Sequence, residues 1–251
     1  MKLYHYTTFE TFIYKILPKM QLKFSPFLEC NDPFEFYQSV RVNLIGSKSE
    51  QANQCFNEFE EQIKKHKFLC FCKDSKEREG WQLPTMWAHY ADYHNGICIE
   101  FESELFDLDK KDKRRSIEYK KNIPEFSNMQ INPNIPMKNQ IEDYIKVNLL
   151  LYKKFYHWRI ENEYRISRNT DNDFLKINAA LNCVYLGLRA SENGINSTKA
   201  KILERLFQDI DRKIPINLMR DTNLLYATNL DDLKFVTGEN SKLLVRQKKS
   251  D

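Results

Sequence analysis

The irregular order of its short apolar runs constrains the fold of this chain more than any other feature of the sequence. Each run is long enough for a single strand, and stretches with an apolar stripe at helical spacing fall between the runs at uneven intervals. Because no regular strand–helix–strand series results, the pattern favours an α+β fold over a doubly wound parallel sheet. The runs that predict strands are residues 3–7, 22–25, 68–72, 97–101, 117–119, 163–166, 183–188, 214–219, 224–227 and 233–236.

Apolar residues three and four positions apart predict helices between these runs. The first helix is expected straight after the first strand, where Thr7 and Glu10 can form a capping box, and Pro18 is expected to end it. The other predicted helices are residues 48–66, 84–93, 141–156 and 198–210.

Composition favours a single folded domain in a reducing compartment. The chain has 251 residues, 41% of them hydrophobic, which is enough for one sizeable core. We expect one domain over residues 1–240, with a partly irregular or helical insert around 103–157, and a disordered basic tail over 241–251. No apolar stretch approaches the roughly 20 residues of a membrane span. A strand is predicted where a signal peptide would lie, so we expect a cytoplasmic protein with reduced thiols and no membrane contact.

Several common catalytic motifs are absent from the sequence. It contains no glycine-rich phosphate loop, no G-x-S-x-G elbow and no H-E-x-x-H pair, which argues against Rossmann dehydrogenases and P-loop NTPases. We also expect no metal site. Cys70 and Cys72 lie on one predicted strand, where we expect their thiols to face opposite sides of the sheet. His89 and His94 are five residues apart, which is a poor spacing for a helical pair of ligands.

Clusters of polar and aromatic residues are the candidates for a functional site. His5 lies between Tyr4 and Tyr6 on the first predicted strand, and alternation places it on the opposite face from the two tyrosines. A hydrogen-bonded core histidine would explain it equally well. The segment Met86–Tyr93 is aromatic and polar at once, which suits a ribose or base pocket, although plain packing would also use its aromatic rings.

A third cluster carries charges on a predicted strand near residue 163. Alternation places Glu161, Glu163 and Arg165 on one face of that strand. Two carboxylates and a guanidinium are too polar for a core, so this face is expected to be either a functional site or a solvated surface with paired charges.

These clusters, in this order, resemble the bacterial domain-of-unknown-function family 2971, which is allied to the abortive-infection proteins of phage defence. The resemblance covers most of residues 1–190. The stretches that carry it are Leu3–Thr7, Leu22–Ser25, Asn31–Glu35, Phe68–Cys72, Met86–Ala91, Gly96–Phe101, Trp158 with Glu161 and Glu163–Ile166, and Val184–Gly187.

A second resemblance implies which reaction the protein would catalyse. ADP-ribosyltransferases carry a histidine on the first core strand, a tyrosine on a middle element and a glutamate on a late strand. His5, Tyr90 and Glu163 are similar in type and order, and Tyr93 is an alternative tyrosine. Glu161 stands two residues before Glu163, as in the Glu-x-Glu transferases. The resemblance implies a short-stranded, mostly antiparallel split sheet with flanking helices.

The same resemblance implies that NAD is the substrate and that no metal is needed. His5 would bond the ribose hydroxyls, Tyr90 would stack on nicotinamide, and Glu163 would stabilise the oxocarbenium-like transition state. The residues for which further NAD contacts are implied are Tyr6, Thr7, Asn31, Trp87, Tyr93, Glu161 and Arg165.

We therefore expect an NAD-dependent ADP-ribosyltransferase or NAD glycohydrolase that acts as an antiphage defence effector or toxin. Its acceptor would be a protein or a nucleic acid, and a cognate defence-system protein is a candidate partner. One alternative is an enzyme or binder of nucleic acid that uses the basic stretch Lys110–Arg115 with Lys120 and Lys121, although a solvated loop explains that stretch more simply. The other is a non-catalytic sensor of a nucleotide or phage protein.

Overall fold

The computed structural model describes residues 1–32, 35, 50–121, 132, 134–148, 150–191, 197–208 and 214–219. These residues form two compact units. The first unit consists of Met1–Lys19, Lys76–Leu105 and the described residues from Asn178 on, and the second consists of Met20–Ser75 and Phe106–Ile177. The single domain over residues 1–240 stays a prediction. The tail over 241–251 and the predicted strands 224–227 and 233–236 lie outside the described residues.

The described elements mix helices with short strands. The strands are β1 (Lys2–Thr7), β2 (Gln21–Lys23), β3 (Ser25–Pro26), β4 (Lys67–Lys73), β5 (Ile97–Glu102), β6 (Lys113–Ser116), β7 (Glu118–Lys120), β8 (Lys153–Phe155), β9 (Glu163–Arg168), β10 (Phe174–Lys176), β11 (Leu181–Leu186) and β12 (Ile216–Leu218). The α-helices are α1 (Phe9–Thr11), α2 (Glu50–Lys64), α3 (Pro84–Tyr90), α4 (Met137–Asn148) and α5 (Thr198–Gln208).

The first unit contains four sheet strands in the order β12-β11-β5-β1. β5 is antiparallel to both β1 and β11, and β12 runs parallel to β11. Ile99 of β5 lies between His5 of β1 and Val184 of β11. Since Ile99 and Val184 are fully buried, the face of the sheet that carries His5 is largely apolar.

The helical segment after β1 begins one residue later than predicted. Thr8 caps α1, because its hydroxyl accepts a hydrogen bond from the Thr11 backbone N–H at 3.0 Å. The predicted capping box on Thr7 and Glu10 is wrong, since Thr7 is the last residue of β1. The segment continues as a π-helix over Phe12–Ile16 and a 3-10 turn over Leu17–Lys19.

The second unit contains the sheet strands β3, β4, β9 and β6, and all of its neighbouring strands are antiparallel. Two separate pairs accompany this sheet, an antiparallel pair of β10 with β2 and a parallel pair of β7 with β8. The core of the unit joins both long helices to the sheet. Its buried members are Phe27, Phe59, Ile63, Phe68, Ile117, Ile141, Ile145, Leu150, Leu151 and Tyr152.

The helix predicted for residues 141–156 and the loop predicted for residues 109–115 differ from the structure. The helix predicted for residues 141–156 ends at Asn148, because Lys153–Phe155 pair with β7 as a strand. The charged stretch 109–115, predicted as a loop, contributes β6 from Lys113 on. The described chain is nonetheless a mixed α+β fold with mostly antiparallel strands, as predicted. Among the described helices, none is both long and apolar enough to cross a membrane.

Candidate functional site

The first unit holds the predicted site residues of the first strand. Tyr6 is buried, its hydroxyl donates to the carbonyl of Gly80 at 2.7 Å, and its ring meets the ring of Trp87 edge-on at 5.1 Å. Thr7 is also buried. His5 is partly exposed and lies on the other face of β1, opposite Ile99. Tyr6 and Trp87 are therefore brought together, whereas His5 faces the other way.

The predicted aromatic residues near position 90 have different surroundings. Trp87 is fully buried, and its indole N–H donates to the carbonyl of Trp81 at 2.7 Å. Tyr90 is the last residue of α3 and is partly exposed. Tyr93 is 68% exposed and lies in a turn where its φ is 51°, so the predicted helix stops before it. Trp87 therefore stabilises the unit by packing, and Tyr90 and Tyr93 are the aromatic residues that a ligand can reach.

The charged residues around position 163 are buried in the second unit. Glu161, Glu163 and Arg165 are 5%, 4% and 1% exposed. The expectation that these charges are too polar for a core is wrong, because counter-charges from other segments accompany them.

Asn31, the remaining predicted contact residue, is exposed in the second unit.

A lysine that the sequence pattern placed in a helix joins these charges. The ammonium nitrogen of Lys154, on β8, lies 2.8 Å from Glu161 Oε2, 3.2 Å from Glu163 Oε2 and 3.3 Å from Glu35 Oε1. We call Glu35, Lys154, Glu161, Glu163 and Arg165 the charged cluster. No local periodicity marks Lys154 or Glu35 as partners of Glu163, so sequence reasoning missed both roles.

Arg165 is the second cation of the charged cluster and contacts Glu163 and Glu35. Its Nε donates to Glu163 Oε1 at 2.6 Å, its Nη2 lies 2.7 Å from Glu35 Oε2, and its Nη1 donates to the carbonyl of Leu151 at 2.9 Å. The guanidinium also stands over the ring of Phe68 at 4.6 Å. Arg165 therefore links two carboxylates that are 128 positions apart in the sequence.

A tight turn allows Glu161 and Glu163 to reach the same lysine. Glu161 ends a 3-10 helix over Tyr156–Glu161, and Asn162 follows in the left-handed region with φ 43°. Asparagine tolerates this conformation, and the side-chain amide of Asn162 donates to the carbonyls of Lys73 and Asp74, both at 3.0 Å. The prediction that Glu161 lies on the strand is therefore wrong, but its carboxylate still belongs to the charged cluster.

The charged cluster pushes the pKa values of two carboxyl groups in opposite directions. Burial acts to raise the pKa of Glu163, but Arg165 and Lys154 lower it to about 2. Burial raises the pKa of Glu35 and outweighs the opposing effect of Arg165 and Lys154. Glu163 is therefore held as a carboxylate, whereas Glu35 keeps a proton more readily than an ordinary glutamate.

Two buried thiols face the charged cluster. Cys70 pairs with Arg165 and Cys72 pairs with Glu163 in the cross-strand register, so both thiols lie on the same face of β4. The expectation that they face opposite sides is wrong, because residues two apart on a strand share a face. Burial raises the pKa of both thiols, which keeps them protonated and unreactive. Within the described part of the chain, no group of three or more His, Cys, Asp or Glu residues is arranged to hold a metal ion.

The first unit contains another buried carboxylate, which the sequence reasoning did not single out. Glu100 of β5 accepts hydrogen bonds from the hydroxyl of Tyr185 at 2.7 Å and from the amide of Asn182 at 2.5 Å. Lys2 lies 3.1 Å from the same carboxylate. The ring of Trp81 stacks on Tyr185 at 5.0 Å. In the cross-strand register, Tyr4 of β1 lies beside Glu100.

The segment that contains Trp87, Tyr90 and Glu163 is similar to a known family. Residues 86–166 match the family described as protein of unknown function (DUF2971). The DUF2971 match supports the family resemblance seen in the sequence, while the links to abortive infection and to ADP-ribosyltransferases stay predictions. No curated protein and no solved structure matches the chain.

The predicted catalytic residues are divided between the two units. His5 and Tyr90 lie in the first unit, and Glu163 lies in the second. Within the second unit, Glu161, Glu163 and Arg165 are brought together with Lys154. The assignment of His5, Tyr90 and Glu163 to one catalytic site stays a prediction.

Proposed function

We propose that this protein consumes NAD, as an ADP-ribosyltransferase or an NAD glycohydrolase, and that it acts in antiphage defence. The observation that carries the proposal is the state of Glu163. Its pKa of about 2 keeps it a carboxylate at neutral pH, although it is almost completely buried. A carboxylate placed near the ribose can stabilise the positive charge that develops when NAD is cleaved.

Cleavage of the bond between nicotinamide and ribose creates positive charge on the sugar. A carboxylate that is already oriented and shielded from water stabilises this charge more strongly than a solvated one. Nicotinamide leaves as a neutral ring, so the reaction needs no proton donor for the leaving group.

The roles of His5 and Tyr90 are carried over from the ADP-ribosyltransferase resemblance, which implies a ribose contact for His5 and a nicotinamide contact for Tyr90. Both residues are partly exposed in the first unit. The defence role rests on the family resemblance alone. Phage challenge of cells that express the protein or its Glu163→Gln variant tests that role separately.

The test of the catalytic assignment is nicotinamide release from NAD by matched variants. Glu163→Gln is expected to lower the rate at least 100-fold, because the amide keeps the shape but removes the charge. The control is Glu118→Gln, which removes an exposed carboxylate of the same unit and is expected to retain the wild-type rate. Circular dichroism checks that both variants are folded. Equal rates for folded Glu163→Gln and wild type would overturn the assignment.

A further inference from the structure

Residues 110–121 concentrate the positive charge of the chain. This stretch, which we call the basic edge, holds seven lysine and arginine residues against two acidic ones, a local net charge of +5. The whole chain carries +4, so the basic edge alone exceeds it. All seven cationic side chains are exposed.

One of the two acidic residues does not neutralise this surface. Asp112 accepts hydrogen bonds from Arg168 Nε at 2.7 Å and from Arg168 Nη2 at 2.5 Å. Both side chains of this pair are 1% exposed, so the charge of Asp112 is compensated by Arg168 in the interior of the second unit. The exposed cations of the basic edge are left with Glu118 as their one acidic neighbour within residues 110–121.

The basic edge follows a sheet border and continues onto a neighbouring pair of strands. β6 pairs with β9 on one side, and no further strand pairs with its outer side in the described part of the chain. The hydrogen bond from Lys120 is the main cause that lowers the pKa of Glu118, and Lys153 and Arg115 also lower it. Three cations from β6, β7 and β8 therefore lie around a single carboxylate.

An aromatic platform lies beside these cations. The 3-10 helix Tyr156–Glu161 follows β8 directly and packs against β7. Tyr156 is 40% exposed, and the guanidinium of Arg159 stands over its ring at 4.1 Å. A ring with a stacked guanidinium is the kind of flat, polar surface on which nucleobases stack.

We propose that the basic edge, together with Tyr156, binds single-stranded nucleic acid, with the phosphates on the cations and a base on the tyrosine ring. Lys113 and Arg115 are two residues apart on β6, so they are about 7 Å apart along one face and can follow an extended backbone. The adjacent aromatic ring favours a nucleic acid over an acidic protein or a lipid surface. This inference goes beyond the proposed function, because it requires no NAD chemistry.

A competing explanation is that the cations only prevent two sheets from pairing at their edges. Charges on an edge strand suffice for that purpose, and it does not require Tyr156 or Lys120. The two explanations differ in their consequences for binding, so a binding measurement separates them.

The test is fluorescence anisotropy of a labelled 20-nucleotide oligouridine with the full chain, in the absence of NAD. For about four phosphate contacts, affinity is expected to fall about 50-fold between 50 and 200 mM salt. Arg115→Glu with Lys120→Glu is expected to weaken binding at least tenfold, and Tyr156→Ala about tenfold. The matched control is Lys23→Glu with Lys176→Glu, which reverses two exposed lysines of the same unit and is expected to change affinity less than twofold.

Three results with oligouridine would overturn the proposal. They are an absence of binding at 50 mM salt, an equal loss in the control pair, or binding that the folded Arg115→Glu and Lys120→Glu variant retains. Binding to phosphatidylserine vesicles in place of oligouridine would assign the surface to lipid and would also overturn it. Because no NAD is present, failure here leaves the proposed function standing, and failure of NAD turnover leaves this test unaffected.

Discussion

Replacing Lys154 by methionine is expected to destabilise the second unit strongly. The lysine ammonium lies within 3.3 Å of three buried carboxyl groups and 4.9 Å from the ring centre of Trp158. Methionine keeps much of the apolar stem but removes the charge, so Arg165 would remain as the single cation among three acids. We therefore expect Lys154→Met to leave buried carboxylates without compensation.

The size of this effect follows from the burial of the ion pairs. Removing one partner of a buried pair costs about 3–5 kcal/mol, because the other charge stays out of water. A typical domain has a free energy of unfolding of about 5–15 kcal/mol, so the variant would lose a large part of its stability. Removing a carboxylate as well, in Lys154→Met with Glu161→Gln, should restore about 1–3 kcal/mol.

Urea unfolding followed by circular dichroism measures these differences. The control is Lys153→Met, which changes the neighbouring, half-exposed lysine and should alter the free energy of unfolding by about 0.5 kcal/mol or less. Equal midpoints for Lys154→Met and Lys153→Met would refute the reasoning. So would a double variant that is less stable than Lys154→Met alone.

The other predictions concern single contacts. Because the pKa of Glu163 is about 2 in the folded chain and 4.5 ordinarily, its ion pairs should add about 3 kcal/mol at neutral pH, lost as pH falls from about 5 to 2. Glu163→Gln should therefore flatten the dependence of the urea midpoint on pH over that range, and an unchanged slope would contradict this. Asp112→Asn should lower stability by about 3–5 kcal/mol in a thermal melt, because it leaves the charge of Arg168 buried without its partner. Gly80→Ala should lower stability by about 1–3 kcal/mol, since its Cβ would overlap the buried ring of Tyr4. A Gly80→Ala melt identical to wild type would show that the ring can move aside.

Local patterns were sufficient to predict most strands of the fold. β1, β4, β5, β9 and β11 each overlap a predicted apolar run, because a short run bounded by polar or turn residues has few other ways to bury its side chains. β8 could not be predicted in this way. Its residues continue the helical spacing of α4, and its pairing with β7 decides its conformation.

The candidate site was predictable in part. Alternation correctly placed Glu163 and Arg165 on one face of β9. It could not predict that this face is buried, because the compensating charges of Lys154 and Glu35 come from distant segments. A pattern within one strand contains no information about side chains that approach it from elsewhere, so a buried charged cluster looks like a solvated surface.

Proton NMR of NAD incubated with the wild-type protein tests the central claim most directly. The nicotinamide protons of NAD and of free nicotinamide give separate signals, so breakage of the glycosidic bond is seen without a label or a coupled enzyme. We predict that free nicotinamide accumulates as NAD disappears, in reactions that also contain oligouridine and a protein extract as acceptors. An NAD spectrum that stays unchanged under these conditions, at equimolar folded protein, would contradict the account.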